Sequence, residues 1–197
     1  GNHTASHLSM VKATSARNAK ELLRSNARFR AELGSVPKLF AYPFGEYGLK
    51  LRNLIINTGF TAAFGQHSGV LHKDADQFFL PRFSMNEAYG GVARFRLAVN
   101  ALPLSVRDVM PADPLLTRSN NPPFFGFTVF GEAVNGLSKL KCYAAQGRAR
   151  SDWLGRSRIE VRFERPFPVG RARINCTMPA SKGRWRWYGM QFYTPSP

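Results

Sequence analysis

Acidic residues are scarce in this sequence. Its 197 residues carry 12 Asp and Glu against 28 Lys and Arg, a formal net charge of +16. Such a field attracts nucleic acid, anionic glycans or lipid head groups. No apolar run approaches the ~20 residues needed to cross a bilayer, which excludes a transmembrane helix. The 2 cysteines are too few for a disulfide scaffold or a thiolate zinc site. Internal repeats and low-complexity segments are absent. Gly1-Asn2-His3-Thr4 does not read as a signal peptide, having neither a basic region nor an apolar core. Gly1 is not a start methionine, so we expect further sequence upstream of it.

What is present points to a folded chain. Hydrophobic residues make up 44% of it, with 16 Phe to fill a core, which argues against disorder. The 13 Pro and 17 Gly are spread along the chain and argue against a bundle of long helices. Its length allows one large domain or two small ones. The basic residues alternate with apolar ones, as in Arg158-Ile159-Glu160-Val161-Arg162-Phe163 and Arg184-Trp185-Arg186-Trp187-Tyr188. That pattern fits a sheet with one basic face. The plainer alternative is a solvated basic surface with no specific partner.

The first half alternates helix and strand. Residues 14–33 read as a helix capped by Thr14 or Ser15, with Leu22, Leu23, Phe29 and Leu33 on an apolar face and Gly34 as its stop. Leu39–Tyr42 fits a buried strand, residues 47–57 a second helix, and Phe60–Phe64 and Phe78–Leu80 two further strands. This rhythm implies a parallel sheet or barrel with outer helices. From Leu104 it changes. Pro103, Pro111, Pro114, Pro122 and Pro123 mark a connector, and short alternating runs follow at Phe125–Phe130, Ser138–Ala144, Arg158–Phe163, Arg171–Thr177 and Trp185–Phe192. These predict an all-β module, most simply a small sandwich. The expected division is therefore residues 1–103 and 104–197.

The chemistry-bearing segment is His3-Thr4-Ala5-Ser6-His7. A spacing of four on a helical turn would turn both imidazoles towards one divalent ion. The alternative is a pair of surface histidines.

Gly1–His7 resembles the zinc-binding H-[ST]-x-x-H motif of the NodB-type polysaccharide deacetylases, also called carbohydrate esterase family 4. Phe40-Ala41-Tyr42-Pro43-Phe44-Gly45 is similar to that family's R-x-P-[YF] motif, in the F-x-Y-P-[YF]-G form of its divergent members. Thr58–Phe64 followed by Leu80-Pro81-Arg82-Phe83 is similar to its late strands. The resemblance covers roughly residues 1–100.

That resemblance implies an α/β fold: the later part of a (β/α) NodB-type barrel, followed by the β module. It implies His3 and His7 as ligands of Zn2+ or another divalent metal, and the backbone N–H of Phe44 as an oxyanion donor. Tyr42, Phe44 and Arg82 are the implied substrate-binding residues. His67 is a possible general acid and His72 a weaker one, with ordinary loop histidines as the alternative. The implied reaction is removal of N-acetyl groups from an N-acetylhexosamine polysaccharide, by a periplasmic or secreted protein. Zinc lowers the pKa of bound water towards ~7, a carboxylate base takes its proton, and the oxyanion is held by the metal and a backbone N–H.

The departures are specific. The family's Asp-Asp pair, base and third ligand, precedes the His pair and lies outside this sequence, so the missing N-terminal part of the same protein becomes an expected partner. Ala41 stands where the motif has Arg, Leu80-Pro81-Arg82 lacks the acid histidine of the L-x-H segment, and Asp74 and Asp76 sit in no matching context. A non-catalytic or degenerate deacetylase-like protein remains the rival, binding anionic glycan or nucleic acid through a basic aromatic sheet. Of those two ligands, nucleic acid is the less expected.

Cys142 and Cys176 fall on two expected strands. Bridged, they would close a loop of ~34 residues and stabilise the module by about 3–4 kcal/mol; the alternative is two buried thiols. A family acting on exported glycans favours the disulfide. Trp185, Trp187, Tyr188, Phe192 and Tyr193 cluster at the end. They read as a stacking surface for sugars or bases, or as a last core strand with tryptophan inside.

Overall fold

Parallel extended segments alternate with helices in the first half of a computed structural model that describes residues 1–144 and 147–196. Asn2 bridges Phe40 of strand β1 (Leu39–Ala41), β1 pairs in parallel with β2 (Ala62–Phe64), and Phe64 bridges Leu80. Helix α1 (Ser15–Leu33) carries the chain from Asn2 to β1, and α2 (Leu49–Asn57) carries it from β1 to β2. Parallel neighbours need such crossovers. Phe40, Ile55 and Ala63 are fully buried between these elements, with Leu22 and Tyr42.

Helix α1 has the expected ends. The Thr14 hydroxyl accepts from the Arg17 N–H, and Gly34 closes the helix at φ 72°. Its inward face corrects the apolar stripe read from the sequence. Leu23 and Leu33 are 69% and 68% exposed, and beside Leu22 the buried positions are Asn18, Glu21 and Ser25. Those polar groups face a loop rather than a sheet, and they have work there.

Phe78–Leu80 is another correction. Asp76 accepts the Phe78 N–H through its side chain and the Phe79 N–H through its carbonyl, so the chain turns and only Leu80 joins the sheet. Helix α3 (Val92–Asn100), which the sequence reading missed, buries none of its residues.

Two further sheets follow. One has the order β3 (Leu102–Pro103), β11 (Trp185–Thr194), β10 (Gly170–Pro179), β6 (Lys141–Ala144), β7 (Gly147–Arg148). The other has the order β4 (Val106–Met110), β5 (Phe125–Val129), β9 (Arg158–Arg162), β8 (Arg150–Leu154). Strand β4 lies within the stretch expected to be a connector, and β8 was not foreseen. Both sheets feed one core, in which Phe125, Phe127 and Ile159 of one meet Ile174, Cys176 and Phe192 of the other. The Phe125 and Phe192 rings meet edge to face at 5.5 Å. Cys142 stands opposite Cys176 in the β6–β10 register, and the two form a disulfide.

Strand β11 settles which aromatics go inside. Tyr188, Met190 and Phe192 pack on the core, so alternation turns Trp185, Trp187, Gly189 and Gln191 the other way. The tryptophans are therefore not core residues. Trp187 meets Phe83 edge to face, and Trp185 is 40% exposed. This outer face of β11 lies against the first half of the chain. A Cβ on Gly189 would fall 1.9 Å from the Ser68 carbonyl oxygen, so only glycine permits the approach.

Candidate functional site

The His3–His7 loop leaves the end of the extended Asn2 segment and is tied down from beneath by α1. Asn2 is fully buried: its Nδ2 donates to Asn26 Oδ1 at 2.7 Å, and its Oδ1 accepts from the Thr4 N–H and the Ser25 hydroxyl. Glu21 Oε2 accepts both the Ser6 N–H at 2.8 Å and the Ser6 hydroxyl at 2.9 Å, and Arg17 pairs with its other oxygen. Burial opposes ionisation of Glu21, but the Ser6 hydrogen bonds and Arg17 outweigh it and hold the carboxyl below its usual range. This explains the polar inward face of α1.

The two imidazoles come together, though not on a helical turn. Thr4 and His7 both have left-handed backbones, at φ 64° and 55°, and the His7 N–H donates to the Thr4 hydroxyl. The loop doubles back and brings the rings to 4.6 Å between centroids. His3 Nδ1 lies 2.7 Å from the Ala41 carbonyl oxygen. A carbonyl only accepts, so Nδ1 carries the proton and Nε2 keeps its lone pair. Burial lowers the His3 pKa; the Ala41 hydrogen bond opposes this, and the His7 and Arg82 charges reinforce it. The ring is thus held neutral, in the tautomer a metal ligand requires.

Phe44 stands beside this pair. Its ring meets His7 edge to face at 4.5 Å, and its backbone is left-handed at φ 59°. Gly45 follows at φ 68°, where a Cβ would fall 2.5 Å from the Gln66 amide nitrogen. The tight turn between Pro43 and Gly45 leaves the Phe44 N–H without an acceptor among the described residues. Arg82 donates from Nε to the Gly65 carbonyl at 2.9 Å. With His3, Ala41 and Phe64 it lines a cavity of about 340 Å³.

Three candidate residues are elsewhere. Tyr42 is fully buried, with its ring between Phe40 and Tyr47, and its hydroxyl has no partner among the described residues. It is a core residue, not a substrate contact, because alternation along β1 turns it inward. His67 is 5% exposed and stacked on Phe79 at 4.2 Å, and its Nδ1 is unpaired among the described residues. Burial, with a smaller push from Arg173, drives its pKa down to about 3. An enclosed ring held neutral, with no spare proton at neutral pH, is poorly placed to serve as a general acid. His72 is half-buried, 5.9 Å from the Phe130 ring, away from the pair. Asp76 is engaged by Tyr47, Arg52 and the Phe78 N–H.

The sequence reading missed the contribution of the second half. Gln191 Nε2 donates to the Phe44 carbonyl at 3.1 Å and to the Gly45 carbonyl at 2.8 Å. The Arg171 guanidinium lies over the Phe44 ring at 5.5 Å. Arg173 donates to Gln191 Oε1 and to Gln66 Oε1. The only hint was the outward face of the last strand.

Two adjacent imidazoles, one of them with its Nε2 lone pair free, suit one divalent ion, but the set is short. Among the described residues no three His, Cys, Asp or Glu side chains converge into a metal site. Ligands of this kind work best as three or more.

Residues 1–63 match the polysaccharide deacetylase family model. No curated protein and no solved structure matches the chain.

Proposed function

We propose that the chain is the later part of a zinc-dependent polysaccharide N-deacetylase, acting on an N-acetylhexosamine polymer in the periplasm or outside the cell. The observation that carries this reading is the tautomer of His3. Its Nδ1 proton is committed to Ala41, and its free Nε2 lies next to His7 in the segment that matches the family. In this reading the parallel segments belong to a (β/α) barrel and the two facing sheets form a β-sandwich accessory module.

The residues present cover part of the work. His3 and His7 would hold the divalent ion, which when bound would lower the pKa of water and polarise the acetyl carbonyl. The Phe44 N–H, fixed by a left-handed turn and by Gln191 beneath it, donates to the oxygen that gains charge on attack. Arg82 borders the cavity beside His3 that would receive the sugar. A base to take the water's proton is not among the described residues near the pair, and a positioned base contributes about 10²–10⁴-fold. The base comes from an upstream Asp-Asp pair, which also completes the metal ligands.

The test has two stages. Co2+ titration of this chain, followed by visible absorption, should show weak binding that His3→Ala abolishes; binding unchanged in His3→Ala overturns the assignment. Acetate release from chito-oligosaccharides with added Zn2+ should be negligible for this chain and substantial for a longer form carrying the acidic pair. Comparable rates would place the base within residues 1–197. A second reading, a degenerate deacetylase that only binds glycan, is favoured by Ala41 at the motif's Arg position and by the buried His67. An inactive longer form that still binds chito-oligosaccharide would favour it.

A further inference from the structure

Three arginines from both halves of the chain gather around the Phe44 turn. Arg82 is anchored to the Gly65 carbonyl, Arg173 to the side chains of Gln66 and Gln191, and Arg171 lies over the Phe44 ring. All three are exposed. None of them pairs with a carboxylate among the described residues, although nine other ion pairs form elsewhere. Like charges this close repel: Arg173 is made less basic first by burial, then by Arg171 and Arg82.

The anchors make the arrangement informative. A carbonyl and two side-chain amides fix two of the guanidiniums without neutralising them. Arg82 keeps both terminal nitrogens free among the described residues, and Arg171 keeps its whole fork. Guanidinium forks held rigidly and left unpaired are matched to a bidentate oxyanion. A general basic surface does not require that placement.

Building on the glycan reading of this site, we propose that Arg82, Arg171 and Arg173 form a subsite for an oxyanion carried by the polysaccharide, a carboxylate or phosphate on a sugar beside the N-acetylated one. The accessory half thereby selects an anionic glycan for the deacetylase half. The second half supplies two of the three charges, so the subsite exists only where the halves meet.

The test is binding, so it does not depend on turnover. The whole chain is titrated by NMR with a tetrasaccharide of alternating N-acetylglucosamine and glucuronate, with its carboxyl-reduced neutral counterpart, and with that counterpart phosphorylated. The anionic forms should bind at least about tenfold more tightly than the neutral one. Which of the two anionic forms binds better identifies the oxyanion. Arg171→Gln with Arg173→Gln should bring anionic and neutral affinities to within about twofold, while Arg171→Lys with Arg173→Lys retains part of the preference. Lys139→Gln with Arg156→Gln removes the same charge elsewhere and should leave the preference intact. Unchanged melting temperatures confirm that the variants are folded.

Equal loss of preference in both Gln pairs would mean that the overall field is responsible and would overturn the subsite. Neutral and anionic tetrasaccharides binding equally would overturn it while leaving the glycan reading standing. Failure of every saccharide, with a thymidine octamer binding instead, would overturn the glycan reading and this inference together.

Discussion

Acidification through the range in which a free histidine titrates should destabilise the protein through His67. In the folded chain this ring is enclosed against Phe79 and its pKa is depressed to about 3, whereas in the unfolded chain it returns to the ordinary histidine value of 6.5. A depressed folded pKa means that the unfolded state binds the extra proton. Stability is therefore fully present above pH 6.5 and is withdrawn as the pH falls towards 3. Each pH unit in that window costs about 1.4 kcal/mol. Moving from pH 6.5 to 4.5 should thus remove roughly 2 kcal/mol, and the full shift is worth roughly 5 kcal/mol. That is a large part of the stability of an ordinary domain.

The assay is urea denaturation at half-unit steps of pH, for the protein and for His67→Phe. Phenylalanine keeps a ring against Phe79 and removes the unpaired Nδ1. His3 and His72 also have lowered pKa values, both chiefly through burial, so some slope should survive in the variant. The difference between the two curves isolates His67. A parallel NMR titration should find its ring unprotonated at pH 5. Identical slopes for protein and variant would refute the reasoning, because they would mean that the site is wet or that the ring swings out when charged.

Three further outcomes follow from the packing. Gly189→Ala places a Cβ against the Ser68 carbonyl at 1.9 Å and should cost about 3 kcal/mol in urea denaturation, with an unchanged midpoint showing that β11 does not seat there. Gln191→Leu strips the Phe44 and Gly45 carbonyls of a buried donor and should cost about 1–3 kcal/mol, shifting the backbone NMR signals of the Pro43–Gly45 turn. Replacing Cys142 and Cys176 together by Ala opens a loop of 34 residues and should lower stability by about 3–4 kcal/mol, whereas equal denaturation curves would show the bridge to be idle.

What the sequence showed of all this depended on distance along the chain. The ends of α1 were legible because a cap is local chemistry: a Thr14 hydroxyl three residues from its donor, and a Gly34 that takes a left-handed turn freely. The parallel pairing of β1 and β2 was legible because two apolar runs with a helix between them have few other solutions. The motif residues were legible as residue types, but not as geometry. His3 and His7 meet because Thr4 turns the loop and Glu21 holds Ser6, and the spacing alone implied a helical turn that is not there. Leu23 and Leu33 suggested an apolar face, yet helix burial follows whatever lies opposite, and opposite α1 is a polar loop needing donors and acceptors.

The parts of the site that could not be read are those built across the two halves. Gln191 reaches Phe44, 147 positions earlier in the chain, and Arg173 reaches Gln66, 107 positions earlier. No periodicity or spacing rule relates positions so far apart; only the register of β10 with β11 aligns Arg173 opposite Gln191. The same register puts Gly189 where the chain can approach Ser68, and that close approach is what lets Gln191 span to two carbonyls. A lone glycine and glutamine in an aromatic strand look unremarkable as sequence. In the fold they are the hinge pin and the latch of one contact, and that contact decides whether the Phe44 N–H is held in place or left free to turn.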